Sequence, residues 1–188
     1  MPEVITAKTA GFCFGVKRAV DTVYEEIKKG GDVYTFGEII HNESVVEDLE
    51  KKGVKVIENL DEISRLKEGT VIIRSHGVAK NVKEKMSENR NIRIVDATCP
   101  FVKKIHETVE KESSEGKDII IIGDPDHPEV LGITGYVKTR AYAINSREEA
   151  ENFNADKDRE MCLVSQTTFN LNKFKDLVEI LSKKGYSI

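Results

Sequence analysis

Two stretches of this chain repeat at an offset of 86 residues, and the repeat keeps its reactive side chains. Cys13 opens Cys13-Phe14-Gly15-Val16-Lys17-Arg18, and Cys99 opens Cys99-Pro100-Phe101-Val102-Lys103-Lys104. Further on, Gly37-Glu38-x-x-His41-Asn42-Glu43 is echoed by Gly123-Asp124-x-x-His127-Pro128-Glu129. A repeat maintained by packing alone would keep only apolar periodicity; this one keeps thiol, imidazole and carboxylate. It constrains the fold to two pseudo-symmetric units that point matching residues at one shared centre.

Aliphatic runs of four or five residues alternate with amphipathic stretches along the whole sequence. The pattern predicts strands at 4–7, 33–36, 54–57, 71–74 and 93–95, interleaved with helices at 16–29, 43–52, 60–66 and 80–89. It then predicts helices at 101–114, 129–137, 147–152 and 172–183 around strands at 118–122, 141–144 and 161–165. Such alternation implies small parallel sheets covered by helices on both faces. The fold class is therefore α/β, with a first repeat domain at 1–96 and a second at 97–188. No Pro/Gly/Ser-rich linker separates them, which implies that the two units pack closely.

With 39% apolar and 33% charged residues, the composition is that of a soluble globular protein. The longest aliphatic run, residues 119–122, is far short of a membrane span. The first residues show no basic region followed by an apolar one, so a cytoplasmic location is expected. A net charge of −4, with lysines and arginines scattered among acids, argues against nucleic-acid binding. Three cysteines, an odd number, fit reduced thiols better than a disulfide framework.

The chemically distinctive residues fall on predicted strand-to-helix turns: Cys13, His41, His76, Cys99, His127 and Thr167. In open α/β sheets ligands bind outside the carboxyl ends of the strands, where such turns lie. A single cysteine is often just a small buried residue. Cys13 and Cys99, however, each precede a helix with two cations one turn in, an environment that favours the thiolate and metal ligation. The two resemble part of an iron–sulfur or zinc site, although no Cys-x-x-Cys is present and two thiolates complete neither. Cys162 lies outside the repeat, on a predicted strand, where core packing is expected.

His41, His76 and His127 each have a bland reading as cap or core residues. Together at strand ends, they suit a phosphate-bearing ligand, because backbone N–H groups, helix dipoles and charged imidazoles all favour an anion. The standard nucleotide loops are absent. His106 sits in a stretch rich in Lys and Glu and is expected to be solvated. Glu129 is a candidate proton donor; the alternative is simple charge complementarity at a helix start, and Glu43, at the equivalent place, tests it. Thr167 belongs to a polar cluster, Ser165-Gln166-Thr167-Thr168, for which helix capping is the competing explanation.

At these residues the chain resembles the 4-hydroxy-3-methylbut-2-enyl diphosphate reductase family, also called LytB or IspH. The resemblance runs, in order, through Ala10-Gly11-Phe12-Cys13-Phe14-Gly15-Val16, Ile39-Ile40-His41-Asn42, Ser75-His76-Gly77-Val78, Asp96-Ala97-Thr98-Cys99-Pro100, His127-Pro128-Glu129-Val130 and Ser165-Gln166-Thr167-Thr168. It implies a trefoil of three pseudo-equivalent α/β domains around a 4Fe–4S cluster held by one cysteine from each domain, with one iron left open for substrate. It further implies reductive removal of the substrate hydroxyl as water, giving isopentenyl and dimethylallyl diphosphates in the methylerythritol phosphate route. By the same resemblance Cys13 and Cys99 are cluster ligands, and His41, His76 and His127 hold the diphosphate. Glu129 supplies a proton, and Thr167 contacts the substrate hydroxyl and relays it. An electron donor such as ferredoxin or flavodoxin is implied, and neither nucleic acid nor membrane.

The family's third domain brings the third cysteine, and the 188 residues match roughly the first two-thirds of a typical member. A catalytically silent two-domain fragment that binds diphosphate without a complete cluster is thus an alternative. A zinc-dependent hydrolase using Cys13, Cys99 and a histidine is another, although no compact ligand spacing supports it.

Overall fold

The computed structural model of the chain describes Ile5, Ala7 and residues 10–188. The strand expected at 4–7 lies outside the continuously described residues. From α1 (Phe14–Lys29) the chain runs through β1 (Val33–Phe36), α2 (Glu43–Lys51), β2 (Lys55–Ile57), α3 (Leu60–Arg65), β3 (Thr70–Ile73), α4 (Lys80–Met86) and β4 (Arg93–Asp96). These strands form a parallel sheet in the order β2-β1-β3-β4. Then follow α5 (Pro100–Ser114), β5 (Asp118–Ile122), α6 (Pro128–Thr134), β6 (Ala141–Ile144), α7 (Arg147–Asn152), β7 (Met161–Ser165) and α8 (Leu171–Lys183). The second sheet, also parallel, has the order β6-β5-β7.

Alternation of side chains along the strands explains why both faces of each sheet need helices. In β3, Val71 and Ile73 join a core with Tyr34, Ile63 and Met86, while Ile72 faces Ala19, Val20 and Val23 of α1. In β5, Ile119 and Ile121 pack with Val109 and Ile133, while Ile120 and Ile122 pack with Leu177 and Leu181. Fully burying each such residue stabilises by about 1.5–3 kcal/mol before entropy is counted. Cys162 packs on the Ile119 side, and burial raises its thiol pKa. No helix among the described residues is long and apolar enough to cross a membrane.

The shared order β2-β1-β3 and β6-β5-β7 positions the site. Each central strand has a neighbour on either side reached by crossovers in opposite directions, which opens a crevice at the carboxyl ends of the central pair. β1 and β3 are followed by the segments carrying His41 and His76; β5 and β7 are followed by those carrying His127 and Thr167.

Three expectations need correction. Helix α4 ends at Met86 rather than 89, and Asn89 instead donates to the Ile63 and Leu66 carbonyls. Helix α6 stops at Thr134 rather than 137, because Gly135 packs directly on Ala79 and the chain then turns to bring Tyr136 back. His106 is not solvated: it is buried, its ring stacks on Tyr136 with centroids 4.2 Å apart, and burial holds its pKa at about 4. The 86-residue register accounts for it, since position 106 matches Val20, a core residue of α1. The polar neighbours occupy the other face of the helix.

Candidate functional site

His41, His76 and His127 converge. Ring centroids are 4.6 Å apart for His41 and His76, 5.5 Å for His76 and His127, and 5.8 Å for His41 and His127. One nitrogen from each ring lies within 4.8 Å of the others, a spacing at which three imidazoles can share one anion or one metal ion. Each is placed differently. His41 precedes α2, whose N-cap is Asn42, and its Nδ1 is 3.6 Å from Glu38 Oε2. His127 is itself the N-cap of α6, because Pro128 takes the first helical position; its Nδ1 accepts from the Glu129 N–H at 3.1 Å. That bond fixes the neutral tautomer with the proton on Nε2. His76 is held in the Ser75-His76-Gly77 turn, where Gly77 has φ +73 and a Cβ there would lie 2.8 Å from His106 Cε1.

Electrostatics correct one part of the anion argument. Desolvation lowers the His76 pKa to about 4, with His41, His127 and Arg74 adding to the effect, and desolvation also lowers that of His127. At neutral pH both rings are therefore neutral hydrogen-bond donors rather than cations.

Glu129 is only 1% exposed although it stands in the first turn of a helix. Its Oε1 accepts from the Thr167 backbone N–H at 2.6 Å and its Oε2 from the Thr167 hydroxyl at 2.8 Å. Helix α8 is capped by Asn170, so Thr167 is not a capping residue and both its donors serve Glu129. Glu43 is exposed in its own first turn. Charge complementarity accounts for Glu43 and leaves the burial of Glu129 unaccounted for.

Cys13 and Cys99 are the N-caps of α1 and α5, and neither makes a side-chain capping hydrogen bond. The two helix starts abut: a Cβ on Gly15, in the first turn of α1, would overlap Cys99 Sγ. Arg18 Nη1 ties them, donating to the carbonyl of Thr98 at 3.0 Å. The Cys99 N–H donates to the Ser75 carbonyl at 2.9 Å, which links this corner to the turn carrying His76. Near the site, Arg74 is a residue that sequence reasoning passed over, and His106 is one that it misplaced. For His106 the match to Val20 was the available signal; Arg74 had none that is local in sequence.

The model of the LytB protein family matches residues 4–188. The chain belongs to the LytB family. It is 48% identical to the 4-hydroxy-3-methylbut-2-enyl diphosphate reductase of Caldanaerobacter subterraneus subsp. tengcongensis over 97% of this chain and 63% of the relative. It is 46% identical to the enzyme of the same name from Geotalea uraniireducens, over 99% of this chain and 64% of that protein. Among solved structures, the Plasmodium falciparum E-1-hydroxy-2-methyl-but-2-enyl-4-diphosphate reductase superposes with a TM-score of 0.87 at 30% identity, covering 94% of this chain and 55% of that one. A second reductase structure, described as the terminal enzyme of the non-mevalonate pathway, gives a TM-score of 0.79 at 37% identity, over 100% of this chain and 66% of its own. The LytB chain described here thus spans less than two-thirds of the length of these relatives, and over that span the α/β fold is theirs.

Proposed function

We propose that this chain supplies two α/β domains, 1–96 and 97–188, of a cytoplasmic reductase that converts 4-hydroxy-3-methylbut-2-enyl diphosphate to isopentenyl and dimethylallyl diphosphates. The observation that carries the reading is the convergence of three imidazoles from both sheets, with the buried Glu129 carboxylate bonded to the exposed Thr167 at the same strand ends. His41, His76 and His127 bind the diphosphate through N–H donors, which fixes the allylic end of the substrate beside Thr167. The Thr167 hydroxyl contacts the substrate hydroxyl and, through Glu129, relays the proton that turns it into a better leaving group. In the net reaction the allylic C–O bond breaks, two electrons and two protons enter, and oxygen leaves as water.

Cys13 and Cys99 fit two ligand positions of a 4Fe–4S cluster: their helix starts touch, and neither thiol is engaged in capping. Such a cluster, completed by a further thiolate, supplies the two electrons, delivered from a donor such as ferredoxin or flavodoxin, and a Lewis-acidic iron.

The test is Glu129→Gln in the full-length gene product. The amide keeps the shape and a hydrogen bond to each Thr167 group, so inorganic pyrophosphate should still bind within a few-fold of the parent. Turnover should fall by about 10²–10⁴, the usual worth of a positioned general acid. An active Gln variant contradicts the proton-donor role, and loss of pyrophosphate binding alone reassigns Glu129 to structure.

A further inference from the structure

Arg74 follows β3 and stands two residues before His76. Its guanidinium lies across Gly37, the residue after β1: a Cβ on Gly37 would overlap Nη1 and sit 3.1 Å from Cζ. Gly37 also has φ +69, so the absence of a side chain serves both the turn and this close approach.

The second sheet contains the counterpart, which shows what is special about the first. Gly123 lies 86 residues beyond Gly37, and a Cβ there would meet Gln166 Cβ at 2.9 Å and Oε1 at 3.0 Å. Strand register makes the match, because Phe36 pairs with Ile73 and Ile122 with Ser165, leaving Arg74 and Gln166 each one step past the paired end. Gln166 is satisfied locally: Oε1 accepts from the Asp124 N–H at 3.2 Å and Nε2 donates to Thr168 Oγ1 at 3.0 Å. Arg74 is not. Its Nε is buried without a partner, and among the described residues no carboxylate comes within ion-pair distance of it. Glu58 and Glu38 are the acids that face it, and the Glu38 carboxylate lies 3.6 Å from His41 Nδ1. Burial lowers the Arg74 pKa, but from so high a starting point that the guanidinium stays charged.

Formal charge is what two of the three imidazoles lack. His76 and His127 are neutral at pH 7, and Arg74 is one of the positive charges that keep them so. Three N–H donors orient a polyanion, yet moving it out of water without a counter-charge is costly. A guanidinium also presents a planar fork suited to phosphoryl oxygens.

We propose that Arg74 is the cationic contact of this anion site, donating to a phosphoryl oxygen of the diphosphate held by His41, His76 and His127. The assignment rests on the diphosphate reading above. It gives the pseudo-symmetry a use: one glycine-backed position carries a self-satisfied Gln, and its twin carries a cation left free for ligand.

The experiment is calorimetric binding of inorganic pyrophosphate to the full-length gene product and to Arg74→Gln, Arg74→Lys and His76→Ala, each checked by thermal unfolding. Arg74→Gln should weaken binding by about 10- to 100-fold, the worth of a charged hydrogen bond, with partial recovery in Arg74→Lys. Binding by Arg74→Gln equal to the parent, while His76→Ala loses it, overturns the Arg74 contact and leaves the diphosphate site standing. Parent-like binding in all three variants overturns the diphosphate site itself. Should Arg74→Gln fail to fold, the Arg74 Nε resonance of unmodified protein decides: it should shift on adding pyrophosphate, and an unmoved signal alongside shifting histidine signals overturns the contact.

Discussion

Glu43 and Glu129 occupy the same position in two copies of one repeat and live in opposite environments. Glu43 sits in the exposed first turn of α2, behind an Asn42 cap that satisfies the Val45 N–H at 3.1 Å. Glu129 follows Pro128, which moves the cap back to His127 and leaves Glu129 buried against the two Thr167 donors. One residue, Asn against Pro, goes with a change in the cap and in the surroundings of the acid. Gly15 and Phe101 differ in the same way. Gly15 is small because Cys99 Sγ lies against it, whereas Phe101, 86 residues on, is 68% exposed. Pseudo-symmetry brings matching residues to one centre, and the departures from it assign them different work.

The sharpest challenge to this comparison is Glu43→Gln beside Glu129→Gln. Turnover of the full-length gene product should stay within about twofold for the first while it drops by about 10²–10⁴ for the second. Equal losses would mean that the two acids act alike. A second contrast is Gly15→Ala against Phe101→Ala under anaerobic iron and sulfide reconstitution. The added methyl must displace Cys99 Sγ, so iron bound per chain should fall severalfold in Gly15→Ala and hold in Phe101→Ala; similar iron content in both would separate the Gly15 contact from ligation.

Acid should also divide the two regions less than their histidines suggest. His76, beside the first sheet, and His106, in the helix of the second, are each held at a pKa of about 4 against an ordinary 6.5. Below pH 6.5 the unfolded chain binds protons that the folded chain refuses. The stabilisation is therefore complete above pH 6.5 and is lost as pH falls from there towards 4. Unfolding followed at pH 5 should take up close to two protons from this pair, and His106→Phe should remove one. A pH-independent stability across that window would contradict the desolvation of both rings. The smallest effect concerns the caps: Asn42→Ala and His127→Ala should each cost about 1 kcal/mol in denaturant unfolding, while His127→Asn should recover the second loss by restoring a capping acceptor. A full loss in His127→Asn would show that the ring does more than cap.

Much of this organisation was legible in the sequence. Strands 33–36, 118–122, 141–144 and 161–165 coincide with the observed ones because short, mostly apolar runs bounded by polar residues mark strands packed between helices. Convergence of His41, His76 and His127 followed from their places at strand ends. Periodicity failed at His106, where Lys and Glu on one face of α5 hid a buried place on the other that Val20 already marked. Arg74 was illegible for another reason: its meaning lies in Gly37 across the strand pair and in the contrast with Gln166, neither of which is local in sequence. The burial of Glu129 depends likewise on Thr167, 38 residues away.

The central claim, that three histidines from two repeats form one anion site, is tested most directly by long-range ¹H–¹⁵N correlation spectra of the imidazole rings during titration with inorganic pyrophosphate. The ring signals of His41, His76 and His127 should shift together along one binding curve, while His106, stacked on Tyr136, stays in place. Shifts confined to a single histidine, or a response of His106 as large as theirs, would contradict a shared site.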